Sequence, residues 1–191
     1  MGIRSIHKGE KKLYDHKGFK RIKNISPYLI DGPNVLVKKK SFPISKLPKM
    51  DYGNKAVDGG NLILSLLEKE KLINKYPKAN KFIRPIFGGD EFIKGKAIFC
   101  LWIANEELNL AKRIPEIARR IKLVKEMRLK SKDKGANELA TRAHQFRDIK
   151  EASNNLLIVP CTSSVRREYL PVGFLDNEKV VKNSLCVIYD A

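Results

Sequence analysis

Between Asn154 and Leu175 the chain collects the side chains best suited to gripping an anion or the edge of a base. Thr162, Ser163 and Ser164 supply hydroxyls, and Arg166 and Arg167 supply two adjacent guanidinium groups. Hydroxyls and planar guanidinium forks are the donors that hold phosphate oxygens and guanine edges. The competing reading is an Arg-Arg step on a solvated turn, paired to Glu168, which contributes little.

Other chemistries are poorly served. Glycine-rich phosphate or dinucleotide loops need G-x-G-x-x-G or G-x-x-x-x-G-K-[ST] between a strand and a helix. Here Gly59-Gly60 and Gly88-Gly89 stand as lone pairs and read as turns. The only Glu-x-Lys is Glu10-Lys11-Lys12, with no acidic residue ahead of it to make a metal-dependent nuclease. His7, His16 and His144 lack the spacing of zinc ligands. Asn24-Ile25-Ser26-Pro27-Tyr28 is superficially similar to the Asn-Pro-Pro-Tyr motif of amino-group methyltransferases. It lacks the first proline, carries an extra residue and reads as structural. The chain offers no complete active site.

The arginine loop needs elements to hold it. Leu156–Val159 is a short apolar run bounded by Asn154-Asn155 and Pro160, the pattern of a strand buried on both faces. A second strand-like run, Tyr169–Leu175, follows the arginines. Upstream, residues 106–132 turn helical with a break at Pro115. Ile114, Ile117, Ile121, Val124 and Met127 recur at three- and four-residue spacing, which makes an apolar stripe. Arg119, Arg120, Lys122, Lys125 and Lys130 cover the other sides, as either solvated surface or a rail for phosphates.

The remaining elements follow from local signals. Lys8-Gly9-Glu10-Lys11 suggests a hairpin or a frayed arm, and Asp31-Gly32-Pro33 a turn between two short strands. Lys38, Lys39 and Lys40 open a semi-extended stretch through Pro43 and Pro48, where proline bars helix and central strand alike. Residues 51–61 form a glycine-rich loop. Ser65 with Glu68 makes a capping box for a helix ending near Tyr76. Strand signals follow at 82–87, with a hairpin around Lys94-Gly95. A short helix is expected over 138–146 and strands at 180–181 and 185–189. The pattern predicts an α+β fold: mixed or antiparallel strands, a basic amphipathic helix and a few shorter helices in a single domain.

Composition sets the electrostatics. The 191 residues carry a formal charge of +18, with 42% hydrophobic content that suits a globular fold. Residues 1–23, 34–49 and 112–134 carry net charges of +6, +5 and +7, so the rest of the chain is neutral overall. The excess implies a polyanionic partner or a very basic host proteome, and its clustering favours a functional electrostatic face over a uniformly basic surface. Cys100, Cys161 and Cys186 make an odd, widely spaced set that reads as buried free thiols in a reducing cytoplasm. The N-terminus lacks a signal-peptide core, and no apolar run is long enough to span a bilayer.

Five segments together resemble one family. They are Asn24–Pro33, Tyr52–Lys55, Asp58–Leu62, Phe82–Pro85 and Arg166–Leu175. In this order they are similar to the target recognition domain of MmeI-like restriction–modification enzymes and related DNA adenine methyltransferases, over residues 24–190. Residues 1–23 then form a basic N-terminal arm and residues 24–191 the recognition domain. The resemblance implies partner domains ahead of this region: a nuclease, a helical connector and an S-adenosylmethionine-dependent methyltransferase, with Mg if the nuclease is present. No cofactor is expected in this chain itself.

What the resemblance implies is a non-catalytic module that holds duplex DNA and reads a short site. A methyltransferase domain, in the same or another chain, then modifies an adenine flipped from the stack. The residues expected to meet DNA are Ser163, Ser164, Arg166, Arg167, Arg119, Arg120, Lys122, Lys38, Lys39, Lys40 and Arg147, with Gln145, Asn154 and Asn155 as further base readers. A motif shared by proteins of differing specificity suits backbone clamping, or a contact common to the family, better than unique base choice, so Arg166 and Arg167 are assigned to one of those two roles. The alternative function is RNA binding in a ribonucleoprotein, against which stands the lack of strand-borne aromatic pairs for stacking.

Overall fold

The computed structural model describes residues 9–164 and 166–191. Residues 1–8 of the basic arm, His7 included, and Val165 of the arginine loop lie outside them. The chain divides into two compact units, Met1–Ile44 and Ser45–Ala191.

In the first unit, β1 (Lys11–Asp15) pairs antiparallel with β2 (Gly18–Ile22), from Lys11↔Ile22 to Asp15↔Gly18. The hairpin predicted in this arm is present, but its turn falls at Asp15–Gly18. There Asp15 Oδ1 accepts the Lys17 amide at 2.8 Å and Gly18 takes φ +132°. The two strands predicted around Asp31-Gly32-Pro33 reduce to one bridge, Ile25↔Asp31. Buried Ser26 is the reason. Its Oγ accepts the amides of Tyr28 and Ile30, and its own amide donates to the Ile30 carbonyl, which curls the backbone into a turn. Lys38–Lys40 continue as exposed irregular chain, as the prolines require.

The second unit begins with β3 (Asp51–Tyr52), the glycine-rich loop and β4 (Ile63–Leu64). Ser65 then caps α1 (Leu66–Lys75) through the predicted box: its Oγ accepts the Glu68 amide at 3.2 Å, and Glu68 Oε2 accepts the Ser65 amide at 2.8 Å. A 3₁₀ turn over Pro77–Phe82 leads into β5 (Ile83–Phe87). Where the sequence suggests a hairpin, the chain instead forms α2 (Gly89–Lys94). Glu91 Oε2 accepts the Gly88 amide at 2.9 Å to start this helix, and Gly95 at φ +62° ends it. The Lys-Gly pair is thus a helix terminus, not a strand turn.

After β6 (Ile98–Leu101) come α3 (Leu108–Ala111) and the long α4 (Pro115–Leu129), broken apart at Pro115 as predicted. Asp133 caps α5 (Lys134–Glu138), followed by a 3₁₀ turn over Leu139–Arg142, so the short helix starts earlier than its composition suggests. The last strands are β7 (Leu156–Pro160), β8 (Gly173–Leu175), β9 (Val180–Val181) and β10 (Leu185–Tyr189). Only the end of the predicted Tyr169–Leu175 run is strand.

Two four-stranded sheets result, in the orders β4-β6-β5-β9 and β3-β10-β7-β8. All pairs within them are antiparallel except β5 with β9, where Ile86 faces Val180 in parallel. The fold is α+β. One core lies between the first sheet and α4, with Leu62, Leu101, Ile117 and Val124 among its fully buried members. A second, smaller core gathers Leu156, Ile158, Leu185 and Val187 beneath β7 and β10. Each such side chain contributes roughly 1.5–3 kcal/mol through removal from water. At Gly53 the sheet edge runs so close that an added Cβ would sit 2.3 Å from the Lys182 carbonyl oxygen.

Candidate nucleic-acid interface

Strand β7 owes its burial to its position inside a sheet, with β10 on one side and β8 on the other. Pro160 closes it, because proline carries no amide to extend the ladder. From Cys161 to Leu170 every described residue is exposed. Ser164 holds the backbone of both arginines. Its Oγ accepts the Arg166 amide at 3.2 Å, and its carbonyl accepts the Arg167 amide at 3.1 Å. Among the described residues, neither guanidinium lies within ion-pair distance of a carboxylate, Glu168 included. Thr162, Ser163, Ser164, Arg166 and Arg167 thus form one exposed donor-rich loop rooted in a buried strand. Tyr169 (77% exposed) continues the loop, and Phe174 (68% exposed) lies on β8 opposite Leu157. Those aromatics were masked in the sequence by their place in an apolar run.

Helix α4 distributes its cations unequally. Arg119 is exposed, with Nη2 at 2.7 Å and Nε at 3.1 Å from the Glu116 carboxylate. That contact is the main reason the Glu116 carboxyl titrates below its ordinary value. Lys122 is freer, its Nζ 3.9 Å from Glu126. Arg120, expected beside them on the surface, is only 8% exposed. Its guanidinium donates to Glu68 Oε1 at 2.7 Å, to Glu116 Oε1 at 3.3 Å, and to the carbonyls of Asn61 and Ile63. A side chain committed to four internal acceptors is unavailable to a phosphate, so Arg120 leaves the interface set and becomes a brace.

Arg128 is a second buried arginine, with no exposed surface at all. Five hydrogen bonds carry its guanidinium to the carbonyls of Ala56, Val57, Leu139, Arg142 and Gln145, at 2.7–3.2 Å. Burial, then the nearby Arg142 cation, lowers its pKa from the ordinary arginine value. In sequence, Arg120 and Arg128 are indistinguishable from their solvated neighbours. The signal lies in register: both fall on the Ile117–Ile121–Val124 side of the helix.

Arg147 is exposed beside Lys55 and Lys150. Lys150 Nζ is held by Asp51 Oδ2 at 3.0 Å, the largest cause of the lowered Asp51 pKa. Gln145 donates to Asn105 Oδ1 at 3.1 Å, which also receives His144 Nε2 at 2.9 Å. Asn154 and Asn155 are exposed at the start of β7. Lys38, Lys39 and Lys40 are exposed within the first unit. No hydrogen bond or ion pair among the described residues joins the arginine loop to the α4 cations.

The glycine pairs have structural duties. Gly59 (φ +61°) and Gly60 (φ +81°) make a turn against Met127, and Gly88-Gly89 pack on Ser184 at the start of α2. Among the described residues there is no group of three or more His, Cys, Asp or Glu able to hold a metal ion. No helix among them is long and apolar enough to cross a membrane. Cys161, expected to be buried, is exposed, and its Sγ lies 3.0 Å from that of Cys186.

Comparison with known proteins bears on the chain as a whole. The family described as "MmeI, target recognition domain" matches residues 31–191. DNA methyltransferase A of Bacillus subtilis (strain 168) is 41% identical over 184 residues, covering 96% of this chain and 21% of that protein. The solved structure of the Type IIL restriction-modification enzyme MmeI in complex with DNA superposes with a TM-score of 0.84 at 37% identity. That alignment takes in 95% of this chain and 25% of the enzyme. The chain thus spans about a fifth to a quarter of the length of these relatives.

Proposed function

The chain belongs to the MmeI target recognition domain family, and from that premise we propose that it binds duplex DNA and reads a short site without itself catalysing a reaction. The observation that carries this reading is the Thr162–Arg167 loop, exposed at its described residues, whose two arginines lack carboxylate partners among the described residues and follow a strand fixed on both sides. Phosphates would be gripped by Arg166, Arg167 and the serine hydroxyls, with Arg119, Lys122, Arg147 and Lys38–Lys40 adding electrostatic attraction. Residues 24–191 act as the reader and residues 1–23 as a basic arm.

The chemistry belongs to other domains. A methyltransferase domain, in the same or another chain, would bring S-adenosylmethionine and transfer its methyl group to an adenine, and a nuclease domain, where present, would bring Mg. The protein would meet its DNA in the cytoplasm.

The test is a comparison of labelled duplex DNA, single strands and structured RNA at one salt concentration, followed by selection from a random duplex pool. Preference for duplex and enrichment of a short motif are the expected results. Equal or tighter binding to RNA would move the protein to ribonucleoprotein function. Methyl transfer by this chain alone would make it an enzyme.

A further inference from the structure

We infer that Cys161 and Cys186 form an oxidation site that closes as an intramolecular disulfide in the presence of peroxides, fastening the root of the arginine loop to β10.

The strand register sets up the pair. Val159 faces Cys186 across β7 and β10, and one step on, the Cys161 amide donates to the Ser184 carbonyl at 3.0 Å. Cys161 and Val159 are two residues apart, so they share a face, which makes Cys161 the diagonal neighbour of Cys186. Their sulfurs lie 3.0 Å apart, while a disulfide bond is about 2.05 Å long. Closing the gap therefore asks for a shift of about 1 Å, small for a loop that begins at this residue.

Access separates this pair from the third thiol. Cys161 is exposed and Cys186 half-buried, whereas Cys100 is wholly enclosed in the larger core. Although Cys161 is a surface residue, its sulfur is tucked against Cys186 and the Asn183 carbonyl. Loss of solvent, then the hydrogen bond to Cys186, raises its pKa to about 12. Thiolate is thus scarce at neutral pH, and the cross-link forms slowly there and faster as pH rises.

The reaction balances with a peroxide as the sole oxidant. One cysteine, as thiolate, attacks a peroxide oxygen. The S–O bond forms, the O–O bond breaks, and the alkoxide or hydroxide leaves and takes up a proton. The second thiol then attacks the sulfenic sulfur, forming S–S and breaking S–O, with loss of water. Two thiols give up two electrons in all, and the peroxide is reduced to an alcohol or water plus water.

The experiment treats the purified chain with hydrogen peroxide, quenches with iodoacetamide and maps peptides by mass spectrometry without reductant. The expected product is a monomer lighter by two hydrogen atoms, with Cys161 and Cys186 peptides joined, Cys100 alkylated only after unfolding, and full reversal by dithiothreitol. Cys161→Ser and Cys186→Ser should each abolish the link. Mapping of the unsubstituted chain stands even if a variant folds poorly. Three alkylatable thiols after treatment, or bonds only between molecules, would overturn the inference.

Discussion

Arg120 Nη2 lies 2.7 Å from Glu68 Oε1, so one carboxylate both completes the cap of α1 and anchors the middle of α4. The amide of Ser65 and then the Arg120 guanidinium draw the Glu68 carboxyl from its ordinary value of 4.5 down to about 2. A carboxyl that keeps its charge to lower pH in the folded state stabilises the fold fully above about 4.5, and that contribution is lost as pH falls toward about 2. Glu68→Gln should therefore lower stability most at neutral pH, where that contribution is complete, and flatten the acid dependence within this window. Acid titrations followed by circular dichroism would check it. An unchanged acid limb in the variant would place the pH sensitivity elsewhere.

Arg128→Met should be far more damaging. The substitution keeps much of the apolar stem but removes five hydrogen bonds; the carbonyls of Ala56 and Arg142 keep the amides of Arg147 and Gln145, while those of Val57, Leu139 and Gln145 lose the guanidinium donor. Unsatisfied buried acceptors cost ~1–3 kcal/mol each before relaxation, so a loss of at least ~3 kcal/mol is expected. For a chain of this size each kcal/mol lowers Tm by roughly 2–4 °C. A fall of under about 2 °C in a thermal scan would contradict the bonding shown.

Arg166→Ala and Arg167→Ala should separate binding from folding. If the loop rests on DNA, each weakens duplex affinity by roughly 1–3 kcal/mol. Stability should stay within about 0.5 kcal/mol, because both side chains are exposed and have no carboxylate partner among the described residues. Lowered Tm with intact binding would make the pair structural.

The α4 cations should differ among themselves. Lys122→Ala, if its ammonium meets a phosphate, reduces the salt slope of log K by about one unit and weakens all sequences alike. Arg119→Ala should have a smaller effect, since Glu116 already neutralises that guanidinium. Arg120→Ala should lower Tm first. Fluorescence anisotropy across a salt series, paired with melting curves, distinguishes the three.

Much of the fold was legible from residue order, and the exceptions share a cause. The α1 box, the Pro115 break and β7 are signals confined to a few adjacent residues, and the structure contains them. The α2 helix was misread because a Lys-Gly pair can close a hairpin or a helix, and the choice rests on Glu91, whose other oxygen is held by Lys182 far along the chain. Likewise, nothing near Arg120 announces that Glu68 will meet it, and nothing near Cys161 announces Cys186. Local chemistry was readable; partners supplied by tertiary packing were not. For the candidate interface, the loop hydroxyls and arginines are visible as a cluster in the sequence, whereas the burial of each helix cation depends on which side of α4 faces the core.

Strands β9 and β10 are neighbours in sequence yet belong to different sheets: Val180 and Val181 extend β5 in parallel, while Leu185–Tyr189 lies between β3 and β7. During synthesis, therefore, neither sheet can be finished until this short segment has left the ribosome, although β3 through β6 emerge much earlier. Until then β7 has a vacant edge and β3 lacks its partner, a period in which unpaired strands are open to wrong associations. Pairings so distant in sequence close slowly. Folding of the second unit should accordingly resemble the fastening of a clasp, with a late, nearly simultaneous gain of order in both sheets.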